Sequence, residues 1–166
     1  RAIVETLYST GVRRRELLNL HLEHLDFHDG VVRVLAGKGN KDRVVPIGHS
    51  ALFGIDAYLQ RVRPIHAAGN PHLFLTVQGS PLSTQFLNST VRHYITAARI
   101  DKPGSCHLLR RSMATHMLAN GAGIRAIQEI LGHARITATQ VYTKLNIDNL
   151  KQVHARTHPT SRDAEP

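Results

Sequence analysis

The sequence contains one cysteine, no tryptophan, few aromatic residues of any kind and little negative charge. The single Cys106 excludes an internal disulfide framework and every zinc site built from several cysteines, which favours a reducing, cytosolic setting. No apolar run approaches the roughly 20 residues that a membrane-spanning helix needs, and the first residues lack the layout of a signal peptide. These absences predict a soluble, cytoplasmic protein.

Positive charge is what the chain has in excess. Lysine and arginine together number 21 against 12 acidic residues, so the formal net charge is +9 with the 12 histidines neutral. Such an excess favours a polyanionic partner, with nucleic acid ahead of an anionic membrane surface. A chain of 166 residues is also long enough to bury about two thirds of its unfolded surface as one domain.

The pattern of apolar residues predicts a mixed fold. Helical spacing appears in "AIVETLYSTG" and "VRRRELLNL", which meet at Gly11. The stretch "LDFHDGVVRVLAGKGNKDRVVPI" predicts three strands joined by a D-G turn and a glycine- and lysine-rich loop. A further short strand is expected in "PHLFLTV", and helix predominates from Ser105 onward. The predicted fold class is α+β, mostly helical, with a small antiparallel sheet.

Arg13 lies on a face of its predicted helix that should point inward. It shares an i, i+4, i+7 stripe with Leu17 and Leu20. A buried guanidinium is costly unless it is paired, and Glu16, three residues on, is a plausible partner. An ordinary local ion pair, or an arginine whose charged end reaches solvent, would also explain the pattern.

A second cationic pair, His107 and Arg110, lies near the start of a predicted helix. With Ser105 as a candidate N-cap, both side chains would share the first turn. Unpaired backbone N–H groups already favour an anion there, and a phosphate would suit them. The alternative is an ordinary polar helix start.

Two further groups of polar residues flank these pairs. The tip of the predicted hairpin carries Lys38, Lys41 and Arg43, without the pattern of a P-loop, and would be either solvated or a mobile cation that reaches over a phosphodiester. His133 follows a glycine that should stop a helix, and Tyr142 comes nine residues later. Tyr142 would be either a core residue or the nucleophile of an oriented His–Tyr pair.

Together these blocks resemble a known family. "TGVRRREL", "GKGNKDRVVPI", "HLLRRSMATHM" and "LGHARITATQVYT" occur in the order and at about the separations found in the catalytic domain of tyrosine recombinases, the phage integrase family. The sequence is similar in particular to the Xer-like integrase/recombinases, from about Thr6 to Pro159. The resemblance implies a catalytic domain over residues 1–154, a flexible tail over residues 155–166, and absence from this chain of the N-terminal core-binding domain of such enzymes.

The resemblance also implies a reaction and the residues that perform it. The catalytic set, matched motif by motif, is Arg13, Lys38, His107, Arg110, His133 and Tyr142. Both arginines would hold nonbridging phosphate oxygens. His107 would either take the tyrosine proton or bind the same phosphate, and Lys38 would protonate the leaving 5′ oxygen. The product would be a 3′-phosphotyrosine, formed without metal or ATP.

Partners follow from the same resemblance. The substrate would be double-stranded DNA, and strand exchange would need four protomers on two DNA sites, in contact through the C-terminal segment. Lys41, Arg43 and Arg111 are expected to meet backbone phosphates. The implied location is cytoplasmic, with the bacterial nucleoid or a mobile element.

Three alternatives use the same residues differently. A type IB topoisomerase would reseal the original strand, and a catalytically inactive relative would be a DNA-binding regulator. A metal hydrolase would draw on the histidines, for which "HLEHLDFH" supplies His21, His24 and His28 and "HARTH" supplies His154 and His158, both with helical spacing. Neither stretch has the H-E-x-x-H pattern, and the first leads into a predicted strand, which counts against a metal site.

Overall fold

The first two helices meet at a sharp turn that packs against the centre of the protein. The computed structural model describes residues 1–35, 42–67, 69–132 and 144–161. Helix α1 spans Ala2–Thr10, and α2 spans Arg14–Leu18. Gly11 ends α1 in the left-handed conformation, with φ 60°, and its N–H donates to the carbonyl of Leu7 at 3.0 Å. This conformation is costly for a residue with a Cβ, which explains the glycine.

A three-stranded antiparallel sheet follows, in the order β1-β2-β3. Strand β1 spans Leu25–Asp26 after a short 3₁₀ helix, β2 spans Val31–Val34 and β3 spans Arg43–Pro46. Val32 pairs with Leu25 on one side and with Val45 on the other. The strands are rich in β-branched residues, whose side chains pack well on a pleated surface. The predicted small antiparallel sheet is confirmed.

The remaining elements are helices around this sheet. They are α3 (His49–Arg61), α4 (Arg63–His66), α5 (Thr84–Ala97), α6 (Cys106–Ala119), α7 (Ile124–Leu131) and α8 (Lys144–Thr157), followed by a 3₁₀ turn over Pro159–Ser161. Ser83 caps α5, because its Oγ accepts the Phe86 N–H at 3.1 Å. The mostly helical α+β class is therefore confirmed.

One apolar core joins these elements. It draws fully buried side chains from the early helices, the sheet and the later helices, including Leu7, Leu17, Val45, Ile55, Leu87, Met113, Ile130 and Leu150. Leu150 brings α8 into the same core. Within the described part of the chain, no helix has the length and apolar character needed to cross a membrane.

The structure differs from the sequence prediction in the segment "PHLFLTV". Instead of a strand, it forms only isolated bridges, between His21 and His72 and between Leu75 and Pro81. The guanidinium of Arg63 donates to the carbonyls of Asn70 and His72, the latter at 3.0 Å from Nη2. A side chain thus satisfies the His72 carbonyl, a backbone acceptor of this segment that a sheet would otherwise have to pair.

The C-terminal end of the fold lies beyond the boundary predicted at residue 154. Helix α8 continues to Thr157, and His158 is fully buried. His154 Nε2 bonds to the carbonyl of Ser9 at 2.8 Å, and His158 Nε2 bonds to the carbonyl of Tyr8 at 3.1 Å. The carbonyl of Thr157 accepts from Asn120 Nδ2 at 2.7 Å, and that of Thr160 accepts from Ser50 Oγ at 3.3 Å. Residues 155–161 are therefore part of the folded domain. Residues 162–166 of the expected tail lie outside the described residues.

This buried pair predicts acid-sensitive stability. Burial lowers the pKa of His154, and burial together with the neighbouring His154 charge lowers the pKa of His158 to about 4. The pKa of a histidine in the unfolded chain is near 6.5, so between about pH 4 and pH 6.5 the unfolded chain binds more protons than the folded one. The contribution of these histidines to the free energy of unfolding is therefore fully present above about pH 6.5 and falls as the pH drops toward 4. The His158 shift alone corresponds to roughly 3 kcal/mol, of which about 2 should be lost between pH 7.5 and pH 5.

Urea unfolding of wild type and His158→Gln at pH 7.5 and pH 5 measures this effect. We expect a shallower pH dependence in His158→Gln, which cannot titrate at that position. The control is His93→Gln, at an exposed position on α5, which should keep the wild-type dependence. Equal slopes for wild type and His158→Gln would contradict the prediction.

Candidate active site

Arg13 lies at the turn into α2 and is held from two sides. It occupies the N-cap position in an extended conformation. Its Nη1 donates to Glu16 Oε1 at 2.8 Å, and its Nη2 donates to the carbonyl of Gly132 at 3.1 Å. The backbone N–H of Arg13 donates to Glu16 Oε2 at 2.7 Å. The predicted local partner, Glu16, is confirmed, and the side chain of Arg13 keeps 27% of its surface exposed.

Arg110 is buried on the first turns of α6, close to Arg13. Its Nη1 donates to the carbonyl of Gly11, and its Nη2 donates to the carbonyl of Leu131 at 2.6 Å. Burial, together with the charges of Arg13 and Arg43, lowers the pKa of Arg110 to about 10, while Glu16 opposes this effect. Arg110 is therefore protonated at neutral pH and has two other guanidinium groups and one carboxylate near it.

Arg43 takes a different position from the phosphate-contacting one predicted. It begins β3 and is only 4% exposed. Its Nη1 and Nη2 donate to the two carboxylate oxygens of Glu16, at 2.9 and 2.8 Å, and its Nε donates to the carbonyl of Ile130 at 3.1 Å. The planar guanidinium matches the carboxylate in a bidentate pair. These buried contacts correct the prediction that Arg43 meets a backbone phosphate at the surface.

Glu16 connects the arginines. Burial alone would raise its pKa, but hydrogen bonds from Arg43 and Arg13 and the charge of Arg43 lower it to about 2. The carboxylate is thus ionised throughout the neutral range. It balances part of the charge of three guanidinium groups, so positive charge remains in excess. Sequence reasoning identified Glu16 only as a neighbour of Arg13, since nothing local indicates the Arg43 contact across 27 residues.

His107 and Arg111 lie on the outside of the same helix. Both are exposed, next to buried Arg110 on α6. Ser105 occupies the predicted N-cap position, but its side chain makes no capping bond, and its hydroxyl donates to Asn88 Oδ1 at 3.2 Å. The structure therefore brings an exposed histidine and an exposed arginine next to the buried arginine cluster.

Four predicted site residues lie outside the described residues. They are Lys38, Lys41, His133 and Tyr142. The backbone carbonyls of Leu131 and Gly132 bind Arg110 and Arg13, and residue 133 follows directly in sequence. The described chain thus connects the arginine cluster to the start of the segment that contains His133 and Tyr142.

A hydrogen bond to His24 counts against the alternative metal site at His21, Glu23 and His24. His21 and His24 stack with ring centroids 5.0 Å apart, and Glu23 Oε1 lies 3.8 Å from His21 Nδ1 and from His24 Nε2. However, His24 Nδ1 accepts the backbone N–H of His21 at 3.1 Å, which puts the proton of the neutral ring on Nε2. Nε2 is the nitrogen that would have to bind a metal shared with Glu23. His28, the third predicted ligand, is exposed and is not in this group.

Comparisons with known proteins identify the family. Residues 1–163 match the profile of the Phage integrase family, and the chain belongs to it. The chain is 45% identical over 166 residues to tyrosine recombinase XerC 2 of Ralstonia nicotianae, a match that covers 99% of this chain and 48% of that protein. It is 44% identical over 161 residues to tyrosine recombinase XerD of Chlorobaculum tepidum, covering 96% and 53% respectively.

Solved structures agree with this family. XerA recombinase superposes with a TM-score of 0.75 at 36% identity, over 95% of this chain and 57% of that one. XerH site-specific recombinase, in a pre-cleavage complex with its difH substrate, superposes with a TM-score of 0.71 at 26% identity, over 93% and 45%. The chain spans about half the length of the curated relatives it matches.

Proposed function

We propose that this chain is the catalytic domain of a site-specific DNA recombinase or integrase that acts through a 3′-phosphotyrosine intermediate on Tyr142. The observation that carries the proposal is the arginine cluster. Arg13 and Arg110 are held by the ionised Glu16 and by backbone carbonyls, and two of those carbonyls directly precede the segment with His133 and Tyr142. Guanidinium groups fixed in this way are suited to a phosphodiester.

In the proposed reaction, the Tyr142 oxygen attacks the scissile phosphorus and the bond to the 5′ oxygen breaks. Arg13 and Arg110 stabilise charge on the nonbridging oxygens. His107 accepts the tyrosine proton or binds the same phosphate, His133 orients the phosphate and the nucleophile, and Lys38 gives a proton to the leaving oxygen. The phosphotyrosine keeps the bond energy, so religation needs no ATP, and the cations of the chain take the part that a metal ion would play.

The DNA partner follows from charge and from the relatives. The net charge of +9 favours DNA as the binding partner. On α6, exposed Arg111 adds a positive charge to the surface beside Arg110. We assign Lys41 to the same phosphate-contacting role. Strand exchange would use four protomers on two duplexes, and this domain would act with a core-binding domain elsewhere in the full-length protein. The exposed face of α8, with Asn149, Gln152 and Arg156, is the proposed part of the C-terminal segment that meets a neighbour.

Tyr142→Phe tests the chemistry. We expect the substitution to lower the covalent adduct by about 10³-fold or more, because the nucleophilic oxygen is removed while DNA binding is kept. The measurement uses a library of nicked duplexes in EDTA, an SDS quench and a gel that detects protein on the 3′ end, with binding followed by mobility shift.

The matched control is Tyr94→Phe, which removes an exposed tyrosine hydroxyl on α5 and should keep the adduct. Binding without adduct in wild type, also when the full-length protein is used, would favour the DNA-binding regulator. When an adduct forms, two differently labelled duplexes distinguish a recombinase, which exchanges strands, from a topoisomerase, which only relaxes supercoils.

A further inference from the structure

Two buried histidines bind the end of α8 to the end of α1. His154 and His158 stack, with ring centroids 4.5 Å apart and planes within 7°. Their Nε2 atoms lie 2.8 Å from the Ser9 carbonyl and 3.1 Å from the Tyr8 carbonyl. Because a carbonyl only accepts, each imidazole must donate its Nε2 proton. The two rings thus satisfy carbonyls in the last turn of α1 that lack partners within the helix.

The same turn of α1 leads directly to the arginine cluster. The Gly11 carbonyl, two residues after Ser9, accepts from Arg110, and Arg13 follows at the start of α2. Ser9 also accepts the Gly48 N–H on its Oγ at 2.7 Å, which ties this turn to the start of α3. A shift of the last turn of α1 would therefore move both the carbonyl that holds Arg110 and the backbone that carries Arg13.

The histidine contacts join the end of α1 to α8, the helix that follows Tyr142. Tyr142 precedes the first residue of α8, Lys144, by two positions. Leu150 and His154 are buried one turn apart on α8, and buried His158 follows directly after the helix ends at Thr157, so these side chains face the domain. Buried Leu150 and His154 thus mark the face of α8 that packs on the domain.

We infer that His154 and His158 are positioning residues, whose donated hydrogen bonds to the last turn of α1 hold the Arg13 turn and the helix after Tyr142 in one arrangement. The inference rests on the proposed transesterification. The same hydrogen bonds also contribute to global stability, so a role limited to stability would lower activity only as far as any core substitution of equal cost does, whereas a positioning role affects the Arg13 turn in particular. The two roles are separated by side chains that differ in the Nε2 donor.

The test compares His154→Leu with His154→Gln. Leucine fills the space without a donor, while glutamine places an amide N–H at about the position of Nε2. At a temperature where both variants are folded by circular dichroism, we expect the rate of adduct formation to fall about tenfold in His154→Leu and to stay within about threefold of wild type in His154→Gln. Leu73→Ala, a core truncation outside the site, controls for lost stability and should keep the wild-type rate.

A wild-type rate in His154→Leu would overturn the inference, and so would equal losses in the leucine and glutamine variants. A second measurement does not depend on activity. Amide hydrogen exchange at Arg13, whose N–H bonds Glu16, should accelerate about tenfold in His154→Leu and not in Leu73→Ala. If neither this chain nor the full-length protein forms an adduct, the proposed function fails. The exchange experiment alone then decides whether His154 holds the Arg13 turn, and unchanged exchange would overturn that role.

Discussion

Replacing Glu16 with glutamine should cost about 3–5 kcal/mol of the free energy of unfolding and should slow adduct formation by about 100-fold or more. Glutamine has nearly the same shape, but it removes the charge that pairs with Arg43, which is only 4% exposed. The buried guanidinium would then lack its counter-ion, and Arg13 would lose the carboxylate that accepts both its Nη1 and its backbone N–H. Both effects come from one carboxylate that is shared by two arginines.

Urea unfolding and the nicked-duplex assay measure the two effects separately. The matched control is Glu23→Gln, since Glu23 is 78% exposed and should change stability by no more than about 0.5 kcal/mol. Adduct formation should be measured at low urea, where the Glu16 variant is still folded. A Glu16→Gln variant as stable as Glu23→Gln would show that the Arg43 pair adds little to the fold, contrary to the buried geometry.

Replacing Gly11 with alanine should have the second large effect. A Cβ at this position would overlap Met113 Cε and lie 2.9 Å from Leu131 Cδ2, and φ of 60° is itself costly for alanine. Backbone strain and overpacking together should cost about 2–5 kcal/mol. Because the Gly11 carbonyl binds Arg110, and Leu131 supplies the other carbonyl of that arginine, the displacement should also reduce adduct formation.

Gly121→Ala separates the two causes in the Gly11 variant. Gly121 has φ of 88°, but a Cβ there meets no atom within 4 Å, so only backbone strain applies. We expect Gly121→Ala to lose about 1–2 kcal/mol and to keep its activity. Equal losses of stability at both positions, measured by urea unfolding, would show that the contact with Met113 and Leu131 relaxes easily.

Local patterns were sufficient for most of the elements and for part of the site. The i+3 spacing identified the bond between Arg13 and Glu16, because the N-cap and N3 positions of a helix lie close together. The i, i+4, i+7 stripe selected Arg13 on the assumption of a longer helix, whereas α2 covers only Arg14–Leu18 and Arg13 precedes it in an extended conformation. Valine-rich strands around turn residues predicted the sheet. The segment "PHLFLTV" was predicted wrongly: it forms only isolated bridges, and the carbonyl of its His72 accepts from Arg63, a side chain of another element.

The sequence by itself determined most of the elements, the excess of positive charge, the order of the motif blocks and the Arg13–Glu16 pair, and it left the partners of the other charges open. Only the tertiary structure decided that Arg43 is a buried partner of Glu16, that Arg110 is held by the carbonyls of Gly11 and Leu131, and that the histidines of α8 bind the end of α1. These contacts join residues far apart in the chain. Their free energy depends on burial and on the orientation of donor and acceptor, which exist only once the helices have packed.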